Sequence, residues 1–142
     1  RGTFLRKALG AIHEPAALVV FLLILVRVVW RLSHRPPDLP SAMRPWEALA
    51  ARLAHSALYL LMLAVPLLGL ATSYARGRGI DFGLFSIPAF APPLPRPTAR
   101  LIKEVHEWAA IAILVLAGLH AAIALWHHHV RRDDVLARML PR

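Results

Sequence analysis

The sequence predicts an all-α fold: an integral membrane bundle of three transmembrane helices, forming one domain over residues 1–142. Three observations predict it. Apolar residues make up 58% of the chain, above the roughly 45–50% of an ordinary soluble domain. Three runs reach the length of about 20 apolar residues needed to cross a hydrocarbon core of about 30 Å. The charged residues gather at the ends of those runs rather than within them, as interfacial anchoring requires.

The first helix is expected over residues 8–32, along LGAIHEPAALVVFLLILVRVVWRL, and stops before SHRPPDLP, whose prolines cannot continue it. Pro15 reads as an early helical position, where a missing N–H costs little. The run has no small-residue cleavage site and charged sequence follows it, so it reads as a span rather than a removed signal peptide. The chain starts at Arg1 rather than Met, and a fragment lacking N-terminal residues is expected.

The second helix is expected over 47–73, where Pro66 and Gly69 bend the helix or admit a close neighbour, as bilayer helices tolerate. Residues 74–99, rich in proline and glycine, read as a loop. Its Phe82, Leu84, Phe85 and Phe90 are expected on the membrane surface or over a site. The third helix is expected over 100–130, followed by an interfacial tail at 131–142 with the sequence RRDDVLARMLPR.

A formal charge of +9 raises the question of nucleic acid, but the 17 Lys and Arg residues flank the spans instead of forming one patch with interleaved aromatics. The lipid bilayer is the partner, not nucleic acid. The basic residues divide almost evenly between the two sides. Those beside the first loop and the C-terminus lie in short segments, which favours a cytoplasmic C-terminus. Cysteine is absent, which excludes iron–sulfur clusters and covalent c-type haem.

The candidate chemistry lies in histidines. Alternating helix direction makes the first and third helices parallel, so His13 and His106 share a depth. His120 follows His106 by 14 residues, a rise of about 21 Å and a rotation about 40° short of four turns, so both imidazoles face one way. The antiparallel second helix brings His55 to the depth of His120. Intramembrane ionisable groups are costly and mark cofactors or pathways, and paired imidazoles from facing helices are the arrangement that ligates haem iron. Two such pairs, at two depths, would carry electrons from one surface to the other. Arg27, 14 residues after His13, either snorkels to headgroups or forks onto a haem propionate. His127, His128 and His129 read as an interfacial polar cluster, with metal binding the competing reading. Trp30, Trp46, Trp108 and Trp126 lie near helix ends as an aromatic belt.

These residues resemble the bacterial cytochrome b561 family of membrane-bound b-type cytochromes over nearly the whole chain. The carriers are HEPAALVVFLLILVRVVWRL with HRPP, then LAHSALYLLMLAVPLLGLATSYARGRGIDFGLFSIP, then HEWAAIAILVLAGLHAAIALWHHHVRRDDVLARMLP, the last being the most specific. The resemblance implies a four-helix bundle in the bacterial plasma membrane holding two haem b groups. It pairs His13 with His106 on the periplasmic side. It gives His120 a ligand from a helix preceding residue 1, with His55 the alternative partner. It further implies electron relay with ubiquinone or another quinone, a periplasmic electron donor, and oxidoreductase activity toward superoxide or quinol; homodimerisation is left open. The competing functions are a cytochrome b subunit of a multisubunit dehydrogenase or hydrogenase and, in a different class, a histidine-dependent metal transporter or sensor.

Overall fold

A computed structural model describes residues 2–34 and 44–132. In chain order it contains α1 (Gly2–Ser33), α2 (Pro45–Ala75), β1 (Ile80–Asp81), β2 (Ser86–Ile87) and α3 (Arg96–Trp126), followed by a π-helical turn at His127–Arg131. The first interhelical loop, residues 35–43, and the tail beyond residue 132 lie outside the described residues. All three long helices contain a stretch long and apolar enough to cross a membrane: Ala8–Ser33, Pro45–Ala75 and Arg96–Arg131.

Very little of this apolar surface is covered by protein. Ile24, Ala75, Ile80, Ala99 and Ala124 are the buried hydrophobics among the described residues, whereas Leu23, Leu114 and Val115 stand more than half exposed. In water such a surface would aggregate. In a bilayer it is the lipid-facing side, and helix contact falls instead to small and polar groups.

α2 packs along α3, and α1 packs on α2, while no comparable packing of α1 on α3 is present among the described residues. The antiparallel register of α2 on α3 is visible in three contacts that run in opposite sequence directions. Glu47 meets Arg131 at 3.0 Å, His55 meets His120, and the Gly69 backbone lies under His106. Glu47 also accepts the backbone N–H of Arg44 at 3.0 Å, closing a capping box at the start of α2. One carboxylate therefore starts α2 and ties it to the end of α3.

Pro15 lies well inside α1, not near its start, because the helix already begins at Gly2. An interior proline leaves the carbonyl four residues earlier, that of Ala11, without its usual partner. Pro66 does the same for Met62 in α2.

The proline- and glycine-rich stretch is also more ordered than a plain loop. Ile80 pairs with Ile87 and Asp81 with Ser86 in a short antiparallel ladder. The turn is closed by Phe82 N–H donating to the Phe85 carbonyl at 3.0 Å and by Gly83, at φ 82°, donating its N–H to Asp81 Oδ1 at 2.9 Å. At Gly77, φ 64° reverses the chain after α2 at a value that glycine adopts without steric cost. The hairpin is fastened to α1: the Asp81 N–H donates to Glu14 Oε2 at 2.9 Å. Two residues of ladder alone would not hold, so this long-range contact and the packing of Ile80 keep it in place.

Gly79 offers a direct test of that attachment. A Cβ there would lie 2.3 Å from the Ile87 carbonyl oxygen and 3.0 Å from Pro88 Cα, so Gly79→Val must separate the hairpin strands. The expected result is faster hydrogen exchange at the Asp81 amide, on the order of tenfold or more, as its Glu14 acceptor is lost, with α2 and α3 amides unchanged. Unaltered exchange at Asp81 would contradict this account.

Candidate functional site

His13 and His106 face each other from α1 and α3. Their ring centroids are 6.5 Å apart with the planes at 70°. Along α1, Leu9, Gly10, Ile12 and Ala16 line a groove of about 490 Å³ with His13 on its wall. A Cβ built on Gly10 would meet nothing within 4 Å, so the α1 surface here is open. The Asp81–Glu14 contact sets the hairpin beside this pair, and Gly83 approaches Pro15.

His106 is held from behind. Its Nδ1 lies 3.0 Å from the Val65 carbonyl oxygen of α2. A carbonyl can only accept, so Nδ1 carries the proton, and in the neutral ring Nε2 is left with a lone pair. That is the tautomer that a metal-ligating imidazole needs.

Near the other end of the bundle, His55 and His120 lie with ring centroids 5.0 Å apart and planes at 71°. One turn beyond His55, Tyr59 lies under the Arg31 guanidinium of α1, whose Cζ is 5.8 Å from the ring centroid. The structure thus places the four histidines in two pairs, His13 with His106 and His55 with His120, while Arg27 stands exposed one turn before Arg31 on α1.

The two pairs differ in what they could hold between them. A metal–imidazole bond of about 2 Å on each side, and about 1.1 Å from each nitrogen to its ring centre, separates opposed ring centroids by about 6.2 Å. The 6.5 Å of His13–His106 matches this span, and perpendicular imidazole planes are compatible with it. The 5.0 Å of His55–His120 falls short by more than 1 Å.

His127 is buried, with its ring perpendicular to Trp126 at 5.3 Å, while His128 and His129 pack on one another at 4.8 Å. Among the described residues no group of three or more His, Cys, Asp or Glu side chains is placed to hold a metal ion, so the triplet gains no support as a metal site. Arg131 extends over Trp126 at 5.2 Å while pairing with Glu47. At the opposite end of α3, Arg100 pairs with Glu104 at 2.7 Å and Lys103 with Glu107, each one turn apart on the exposed helix surface.

Sequence reasoning does not find the Val65 carbonyl, the Glu47–Arg131 bridge or the Arg31–Tyr59 contact. A backbone acceptor has no residue-type signature, and the other two join helices far apart in sequence. The one signal present is Gly69, which marks a place where a neighbour approaches. The neighbour is the His106 ring, whose Cε1 would lie 3.3 Å from a Cβ at that position.

Comparison with known proteins agrees with the resemblance. A family model described as prokaryotic cytochrome b561 matches residues 1–142. Cytochrome b561 homolog 1 of Escherichia coli (strain K12) is 39% identical over 134 residues, covering 92% of this chain and 73% of its own length. Cytochrome b561 homolog 2 of the same organism is 35% identical over 130 residues, covering 91% and 69%. A protein named probable superoxide oxidase CybB, from Yersinia pestis, is 33% identical over 132 residues, covering 92% and 74%.

Proposed function

The chain belongs to the prokaryotic cytochrome b561 family, bacterial membrane cytochromes whose family name implies haem b, and from that premise we propose that His13 and His106 are the axial ligands of one haem within a transmembrane electron carrier. The observation that carries this reading is the 6.5 Å separation of the two rings, one from α1 and one from α3. Haem iron held by two imidazoles moves single electrons between its ferric and ferrous states and keeps no open position for oxygen.

The chain's own groups supply the rest. The Val65 carbonyl holds the proton on His106 Nδ1, so Nε2 is the ligating atom. Lipid-facing leucines and valines exclude water from the surroundings and keep the local dielectric low. His120 ligates a second haem near the opposite surface, with His55 as a neighbour in the same pocket rather than the opposed ligand, in keeping with their 5.0 Å spacing. Arg27, exposed one turn from Arg31, offers a bidentate guanidinium to a propionate.

In this reading the protein relays electrons between a periplasmic donor and the quinone pool, with the His13/His106 site on the periplasmic side and the C-terminus in the cytoplasm. The name probable superoxide oxidase, given to the Yersinia pestis relative, supports superoxide as a donor of the right one-electron class. The test is a reduced-minus-oxidised difference spectrum of the purified protein, expressed with ample haem. A b-type α band is expected in stoichiometric amount. Absence of haem absorbance from folded protein defeats the proposal, and a His-dependent metal carrier then becomes the reading to pursue.

A further inference from the structure

We infer that Gly69 is a positioning residue for the His106 ligand: it forms the notch through which the imidazole reaches the Val65 carbonyl, and so sets the electron affinity of the haem assigned to that site. The inference rests on the proposed ligation by His106 and extends it to a residue that touches neither iron nor substrate.

The geometry is specific. His106 Nδ1 lies 3.0 Å from Val65 O. The ring reaches that oxygen by crossing α2 at Gly69, one helical turn further along. A Cβ at position 69 would stand 3.3 Å from His106 Cε1 and 3.8 Å from both ring nitrogens. A contact of 3.3 Å leaves the ring only a shift of a few tenths of an ångström, directed away from α2. The ring is half-buried, and its movement away from α2 lengthens the bond to Val65 O. Helix α2 carries no side chain at that point that could take over as acceptor, because position 69 is a glycine and the acceptor is backbone.

The chemical consequence follows from the donor role of Nδ1. Donation of that proton to a carbonyl places more electron density on Nε2, which favours ferric over ferrous iron and fixes the ring orientation. A weaker bond reduces both effects. Glycine is a poor choice for a helix interior compared with alanine, so its presence opposite an imidazole has a packing reason that helix formation does not supply.

The experiment is Gly69→Ala in the intact, haem-loaded protein, read by potentiometric titration and by electron paramagnetic resonance of the ferric state. The expected result is full haem retention with a positive shift in the midpoint potential of one haem. A tenfold loss of ferric preference corresponds to about 59 mV for one electron. The g-values of the same haem should move, because they report the imidazole orientation. Gly69→Val, which adds bulk without an acceptor, should act in the same direction and more strongly. Unchanged potential and unchanged g-values in both variants overturn the inference.

Should a variant fail to accumulate, the unmodified protein still decides. Its His106 Nδ1 proton should show slow exchange in deuterated buffer by pulsed electron–nuclear double resonance, and free exchange overturns the inference. Failure of the underlying ligand assignment looks different: His106→Ala would then keep the full haem complement, whatever the result at Gly69.

Discussion

His106→Ala protein is expected to hold one haem fewer than the unmodified protein, roughly halving the b-type α band while the remaining haem keeps its spectrum. The expectation follows from the isolation of the site. His13 and His106 face each other as a pair, and no neighbouring cluster of ligating side chains offers a replacement among the described residues. Even loss of an outer-sphere partner commonly lowers metal affinity about 10–100-fold, and loss of an axial ligand should exceed that. Thermal stability should fall as well, because a cofactor present at about a thousand times its dissociation constant contributes about 4 kcal/mol to the native state. Quantification of haem per protein, with a melting curve alongside, checks both outcomes. Retention of the full haem complement would contradict the ligand assignment.

The second large effect is an asymmetry between His120 and its neighbour. His120→Ala should remove the other haem, whereas His55→Ala should leave it bound with its spin state unchanged and at most a moderate change of potential. The 5.0 Å centroid spacing is the reason: two imidazoles that close together leave no room for iron coaxially between them, while a perpendicular contact at that distance is an ordinary packing arrangement for rings. Haem content and ferric spin state distinguish the two variants. Loss of haem from His55→Ala to the same extent as from His120→Ala would show that the two rings separate to act as opposed ligands.

Much of the architecture is legible in the sequence because it is local. Apolar runs bounded by Arg and Pro set the spans, and helical rise alone brings His13 level with His106 and His55 level with His120. The hairpin at Ile80–Ile87 escapes a sequence reading because its ladder is only two residues per strand and its anchor is Glu14, 67 positions away from Asp81. The support behind His106 escapes for another reason. Its acceptor is a main-chain oxygen, and main-chain atoms are the same at every position until a fold selects one. The early-helix reading of Pro15 fails because the helix continues toward the N-terminus past the apolar run, through Lys7, Arg6 and Leu5, residue types with good helix propensity.

The placement of His106 and His120 on a single uninterrupted helix has a consequence for how the protein tolerates its surroundings. A continuous α-helix is a rod whose length is fixed by its own hydrogen bonds, so the interval between the two imidazole attachment points does not depend on how the neighbouring helices settle. Membranes of different thickness are met by tilting a helix by tens of degrees. Such a tilt would change how far each end sits from its water layer, and with it the solvation of each histidine pair. It would leave the jump between the two attachment points unaltered. Membrane composition can therefore bias the energies at the two ends of the proposed relay, while the distance between them belongs to the backbone of one helix.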